Sequence, residues 1–77
     1  MQSIYSPEYK TFLKRLRERR KAKGMTQVQV ARALGKPQSF VSKIETGERR
    51  LDPLELKAIA KLYGISVDRL LSHMKSR

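Results

Sequence analysis

The chain has no cysteine and a single histidine, His73, among its 77 residues. Without cysteine, neither a disulfide framework nor a cysteine-ligated metal site can hold the fold together, and one histidine cannot supply a metal site by itself. We therefore expect no metal and no other cofactor. Stability has to come from packed apolar side chains or from a partner.

Long apolar runs are also missing. No stretch approaches the roughly 18 residues that cross a membrane. The first ten residues lack the hydrophobic region followed by small residues that marks a secretory signal. We expect a soluble intracellular protein, and the absence of cysteine fits that compartment.

Acidic residues are scarce: 7 Asp and Glu stand against 18 Lys and Arg, which gives a net charge of +11. A field of this size attracts polyanions and accelerates association with them. Eight of the bases fall within residues 8–23, beside only Glu8 and Glu18. Charge alone therefore indicates a polyanionic partner, which leaves DNA, RNA, an acidic protein and an anionic membrane all open.

Apolar residues recur at helical spacing along the chain, and nowhere do they alternate as in a strand. No internal repeat and no second domain is visible. The sequence predicts one all-α domain over residues 1–77, with an N-terminal extension at 1–6 and a short frayed tail at 72–77. Its five predicted helices cover residues 7–23, 27–34, 37–45, 53–63 and 67–71.

Capping signals set these boundaries. A side-chain oxygen before a helix can accept a hydrogen bond from the first turn, and proline suits the first helical position, where Pro7, Pro37 and Pro53 are expected. Asp52 followed by Glu55 has the spacing of a capping box. The predicted N-caps are Ser6, Thr26, Asp52 and Ser66, and the predicted stops are Gly24, Gly35, Thr46-Gly47 and Gly64.

The second and third helices are separated only by Gly35-Lys36-Pro37. So short a connection favours two helices that cross at a steep angle, as in a helix-turn-helix, and small Ala31 lets them approach closely. Their shared inner face is predicted to contain Val30, Ala31, Leu34, Val41 and Ile44. The outer face of the third helix presents Gln38, Ser39, Ser42 and Lys43, a polar stripe that fits the donor and acceptor pattern of the DNA major groove.

From about Leu16 to Leu71 the chain resembles the Cro/C1-type (phage repressor-like, XRE) helix-turn-helix family. The resemblance is carried by Arg20, Gly24-Met25-Thr26-Gln27, Ala31, Leu34-Gly35, Ser42-Lys43-Ile44-Glu45, Gly47, Ile59-Ala60 and Tyr63-Gly64-Ile65-Ser66. It implies a compact five-helix, lambda-repressor-like domain that binds operator DNA, usually as a dimer on a near-palindromic site. Two positions depart from the family pattern: Arg19 replaces an aliphatic residue, and Pro37 replaces a Ser or Thr cap.

The resemblance places Gln38, Ser39, Ser42 and Lys43 at base-reading positions and Gln27 at a phosphate-contacting position. A helix N-terminus presents backbone N–H groups to a phosphate oxygen, which suits the start of the second helix. The full set of expected phosphate contacts is Thr26, Gln27, Lys36, Arg20, Arg49 and Arg50.

Arg20 and Glu45 are two opposite charges that fall on the inner faces of their helices. An unpaired buried charge costs several kcal/mol, so we expect the two to form a structural ion pair, compatible with a phosphate contact from Arg20. Phe40 is expected to pack on the flank of the core, with base stacking as the alternative. Tyr63 is expected inside the core.

No paired carboxylate, activated nucleophile, phosphate loop or metal cluster is recognisable, so we expect no enzyme activity. The leading interpretation is a cytoplasmic, nucleoid-associated transcriptional regulator of bacterial or phage origin, most simply a repressor that occupies its operator as a homodimer. The alternatives are an antitoxin, which also binds a toxin protein, and an interaction module that kept the fold. Membrane binding through the first helix is disfavoured because Phe12, Leu13 and Leu16 are needed in the core.

Overall fold

The computed structural model describes residues 6–72, and within them every regular element is helical. The helices are α1 (Pro7–Ala22), α2 (Gln27–Leu34), α3 (Gln38–Thr46), α4 (Pro53–Tyr63) and α5 (Val67–Leu71). This arrangement confirms the predicted all-α, five-helix class. Within the same residues, no helix has the length and apolar character to span a membrane. His73, most of the predicted frayed tail and residues 1–5 of the extension lie outside the described residues.

Side-chain caps begin four of the five helices. Thr26 and Asp52 each form a complete capping box, because their side chains accept from the backbone N–H of Gln29 and Glu55, whose side chains bond back to the two caps. Ser6 and Ser66 accept single bonds at the starts of α1 and α5. The four predicted N-caps are therefore confirmed.

The start of α3 differs from the prediction. Pro37 is the N-cap and not the first helical residue, and it makes no side-chain cap hydrogen bond, so α3 begins at Gln38. The helix also includes Thr46, one residue beyond the expected end, before Gly47 adopts φ 87° in the left-handed region. Proline carries no side-chain oxygen, which is why this helix alone among the five lacks the capping bond.

One apolar core joins all five helices. Tyr63 is only 2% exposed at its centre, and this burial raises the pKa of its hydroxyl to about 12. Phe40 packs at the rim of the core, as expected, and Leu34 is half-buried against it. The remaining buried members are Phe12, Leu13, Leu16, Val30, Ala31, Val41, Ile44, Ile59, Ala60 and Leu70.

Inside this core, Arg20 and Glu45 form a two-pronged ion pair. The Arg20 Nε lies 2.7 Å from Glu45 Oε2, and Nη2 lies 3.1 Å from Oε1, with side chains 9% and 5% exposed. Arg20 Nη1 also donates to the Met25 carbonyl, and Gln27 Nε2 donates to Glu45 Oε1 at 3.0 Å. The hydrogen bond from Glu45 raises the pKa of Arg20. One satisfied charge pair thus connects α1, the start of α2 and α3.

Arg19, one of the two departures from the family pattern, lies on a different face of α1 from Arg20 and contacts the C-terminal end of α4. Its Nε and Nη2 donate to the carbonyls of Tyr63 and Gly64, each at 3.3 Å. One turn earlier, Arg15 Nη1 donates to the carbonyls of Leu70 and Ser72 at the end of α5. Because carbonyl groups at helix C-termini attract cations, these two arginines hold the ends of α4 and α5 against α1.

A second ion pair closes the turn between α3 and α4. Arg49 Nη1 and Nη2 each lie 2.8 Å from one carboxylate oxygen of Glu55, in the first turn of α4. The Glu55 side chain is 17% exposed and the Arg49 side chain 41% exposed, so solvent screens the pair. The hydrogen bond from Arg49, aided by the backbone of Asp52, lowers the pKa of Glu55 from 4.5 to about 2.

We predict that Arg20→Ala destabilises the fold by about 3–5 kcal/mol, because the substitution leaves the Glu45 carboxylate buried without its partner. Urea denaturation gives the free energy of unfolding. Arg17→Ala is the matched control, since Arg17 is exposed on the same helix and its loss should change stability by about 0.5 kcal/mol or less. Equal effects from the two substitutions would contradict a buried pair.

Glu55 should make stability depend on pH. Its pKa is lower in the folded chain, so its contribution is complete above about pH 4.5 and is lost as the pH falls toward 2. Glu55→Gln keeps the capping box. We expect it to be less stable than the wild type by up to about 1 kcal/mol at pH 7, and we expect this difference to disappear as the pH falls through about 2.

Thermal unfolding of both proteins across this pH range measures the difference. Glu48→Gln removes one carboxylate from the exposed neighbouring turn and controls for net charge. A stability gap between wild type and Glu55→Gln that stays constant from pH 7 to pH 2 would exclude the proposed linkage.

Candidate nucleic-acid interface

The outer face of α3 is a polar ridge formed by Gln38, Ser39, Ser42 and Lys43. Gln38, Ser39 and Lys43 are exposed, and Ser42 is half-buried with its Oγ donating to the Ser39 carbonyl at 3.4 Å. The opposite face of α3 is buried and contributes Phe40, Val41, Ile44 and Glu45. Four polar side chains therefore project from a helix whose other side is fixed in the core.

The turn before α3 fixes where this ridge begins. Gly35 ends α2 with φ 70°, a left-handed conformation that favours glycine, and the Lys36 N–H donates to the Ala31 carbonyl at 2.9 Å. The Phe40 N–H then donates to the Pro37 carbonyl at 2.9 Å, which opens α3. Val30 and Ala31 of α2 are buried, and α2 packs directly against α3.

The N-terminus of α2 offers backbone donors to solvent. Its capping box uses the N–H groups of Thr26 and Gln29, whereas those of Gln27 and Val28 meet no hydrogen-bond acceptor in the described part of the chain. The Gln27 side chain is half-buried and one of its amide hydrogens is directed to Glu45. Two free N–H groups at a helix N-terminus can donate hydrogen bonds to a phosphate oxygen.

The cations expected to contact phosphate differ in their exposure and in their partners within the protein. Arg20 is buried in its ion pair, and Arg49 is half-buried and held by Glu55. Lys36 is exposed with its Nζ 5.3 Å from the Phe40 ring centroid, and the exposed Arg50 guanidinium lies 4.3 Å from that of Tyr9. Sequence reasoning missed the bond between Arg49 and Glu55, since Glu55 was already explained as part of a capping box.

The basic run of α1 separates into two sides. Arg15, Arg19 and Arg20 bond within the protein. The other side is an exposed stripe whose four cations make no ion pair or hydrogen bond with any residue between 6 and 72. Lys10, Lys14, Arg17 and Lys21 form this stripe at helical spacing.

Apolar grooves lie on the surface of the residues that the structure describes. One of them, with a volume of about 400 Å³, is lined mainly by Tyr9, Phe12, Leu51, Leu56 and Leu71. Between residues 6 and 72, no group of three or more His, Asp or Glu side chains is placed to hold a metal ion.

Comparison with known proteins agrees with this geometry. A helix-turn-helix family model matches residues 16–70. Among solved structures, an XRE-family like protein from Pseudomonas syringae pv. tomato is 45% identical and has a TM-score of 0.80, over 87% of this chain and 82% of that one. No curated protein matches. The chain belongs to the Cro/C1-type (XRE) helix-turn-helix family of DNA-binding transcriptional regulators.

Proposed function

We propose that the protein recognises a specific double-stranded operator through α3 and represses transcription by occupying it. The observation that carries this proposal is the polar ridge of Gln38, Ser39, Ser42 and Lys43, which projects from a helix buried on its opposite face. A glutamine amide pairs with adenine, a lysine donates to guanine, and a serine leaves room for a thymine methyl group. The ridge therefore has the chemistry to distinguish base pairs in the major groove.

Phosphate contacts would hold this ridge in register. The free N–H groups of Gln27 and Val28 support a contact at the start of α2, beside the exposed cap residue Thr26. Lys36 precedes α3 in the sequence and Arg50 follows it. Both residues are exposed and supply charge for further contacts. Contacts of this kind fix orientation and carry no sequence information themselves.

We further propose that the protein acts as a homodimer on a near-palindromic site. Two recognition helices in successive major grooves lie ~34 Å apart, one turn of the duplex. Exposed leucines on α4 and α5 support a dimer contact through one of these helices, since Leu54 is 77% exposed and Leu71 is 44% exposed.

Selection from a pool of random duplexes tests the proposed recognition. We expect enrichment of a near-palindromic sequence, with a spacing that reports the separation of two α3 helices. Binding to the selected duplex should weaken with salt at a slope of about −5 in log K against log [salt], as expected when about six phosphates are neutralised. A pool that stays random after selection would instead favour a protein-interaction module.

Substitution of the ridge should alter the choice of base. We predict that Lys43→Ala or Gln38→Ala weakens binding to the selected duplex by ~1–3 kcal/mol and relaxes preference at one base pair. Fluorescence anisotropy with a set of single-base-pair variants measures both effects. Lys61→Ala, an exposed cation in the last turn of α4, is the charge-matched control and should leave base preference unchanged. An unchanged base profile in both ridge variants would place recognition elsewhere.

A further inference from the structure

Phe40 occupies the first turn of α3, directly after the ridge residues Gln38 and Ser39. Its side chain is at the rim of the core, where the residue is 9% exposed. The Arg49 guanidinium carbon lies 4.8 Å from the ring centroid, and the Lys36 ammonium lies 5.3 Å from it. Both distances are within the range of cation–π attraction, which is stronger at a site that is partly removed from water.

Arg49 also contacts the opposite end of α3 and the beginning of α4. Its backbone N–H donates to the Lys43 carbonyl at 3.1 Å, in the last turn of α3. Its guanidinium extends back along the helix and forms both hydrogen bonds to Glu55 at 2.8 Å, while Nη1 also donates to the Arg50 carbonyl. A single residue therefore contacts both ends of α3 and connects them to α4.

The amino end of α3 needs such a restraint. The helices on either side of it, α2 and α4, start with complete capping boxes, whereas Pro37 gives α3 no side-chain cap. This uncapped end carries Gln38 and Ser39, half of the ridge. The guanidinium that Glu55 binds lies against Phe40, so this turn is connected to α4 through Arg49.

We propose that Arg49 is a positioning residue for DNA recognition, which holds the amino end of α3 in the orientation that base reading requires. This inference rests on the function proposed above. It replaces the phosphate contact expected for Arg49 from sequence, because the edge of the guanidinium formed by Nη1 and Nη2 is bound to a carboxylate and its carbon lies over an aromatic ring, although the side chain is 41% exposed. Lysine cannot substitute, since it lacks the planar fork that makes both contacts at once.

Four variants separate positioning from phosphate contact: Arg49→Ala, Arg49→Lys, Glu55→Gln and, as a control, Lys57→Ala, an exposed cation on α4. Each is measured for affinity to the selected duplex and to a scrambled duplex of equal length, across a series of salt concentrations. Circular dichroism at the assay temperature establishes that each variant is folded.

Under the proposal, both Arg49 variants and Glu55→Gln lower the ratio of selected to scrambled affinity by about tenfold. A change of this size lies within the range by which one bidentate base contact discriminates between base pairs. Affinity for the scrambled duplex and the salt slope stay close to those of the wild type. Lys57→Ala leaves the ratio unchanged. A merely structural role would lower the melting temperature of the folded variants and leave this ratio intact.

A phosphate contact gives the opposite pattern. Arg49→Ala would then weaken both duplexes equally and reduce the magnitude of the salt slope by about 1. Glu55→Gln would release Arg49 and strengthen binding to both duplexes, and either result overturns the inference. If Arg49→Ala does not fold, the charge-retaining Arg49→Lys and Glu55→Gln decide. A wild type that binds both duplexes equally would instead refute the proposed recognition, so the two failures are distinguishable.

Discussion

The rotation of α3 about its own axis depends on the buried pair of Arg20 and Glu45. A charge enclosed by apolar side chains is tolerated only when its hydrogen bonds are satisfied, and here the carboxylate accepts from Arg20 at both oxygens and from Gln27 at one. The remaining arm of Arg20 reaches the Met25 carbonyl before α2. Rotation of α3 about its own axis would break several of these bonds together, so the polar ridge is fixed relative to α1 and the start of α2.

Within the described residues, the hydrogen bonds and ion pairs made by basic side chains depend on side-chain chemistry. Bonds inside the protein are made by arginines, namely Arg15, Arg19, Arg20 and Arg49. Within residues 6–72, no lysine side chain makes a hydrogen bond or an ion pair. A planar guanidinium can donate to two acceptors in fixed directions, whereas an ammonium is compact and strongly hydrated. The lysines of the described residues are therefore left at the surface, where they contribute to the net positive charge.

Most of the fold followed from local sequence signals. Ser6, Thr26, Asp52 and Ser66 form their caps with residues three positions along the chain, and such short-range geometry is encoded in the sequence alone. The start of α3 was misplaced by one residue because Pro37 fits both the N-cap and the first helical position. Arg19 contacts the end of α4 through residues that lie 44 and 45 positions further along the chain. Spacing along the chain cannot reveal such contacts, because they depend on how the helices pack.

The pairing of Arg49 with Glu55 escaped prediction for a different reason. Glu55 already had a local explanation in its capping box, and in the structure it fulfils that role and binds Arg49 as well. A carboxylate has two oxygens and about four acceptor sites, so one satisfied bond does not exhaust it. The same carboxylate thus couples the start of α4 to the turn after α3.

The helix α3 begins without a side-chain cap, so its first turn is positioned by contacts with neighbouring residues. The outer side chains of that turn remain exposed. A Ser or Thr cap at position 37 would satisfy the first turn of α3 locally without connecting it to α4, whereas the contact through Phe40 and Arg49 makes the orientation of the ridge depend on that connection.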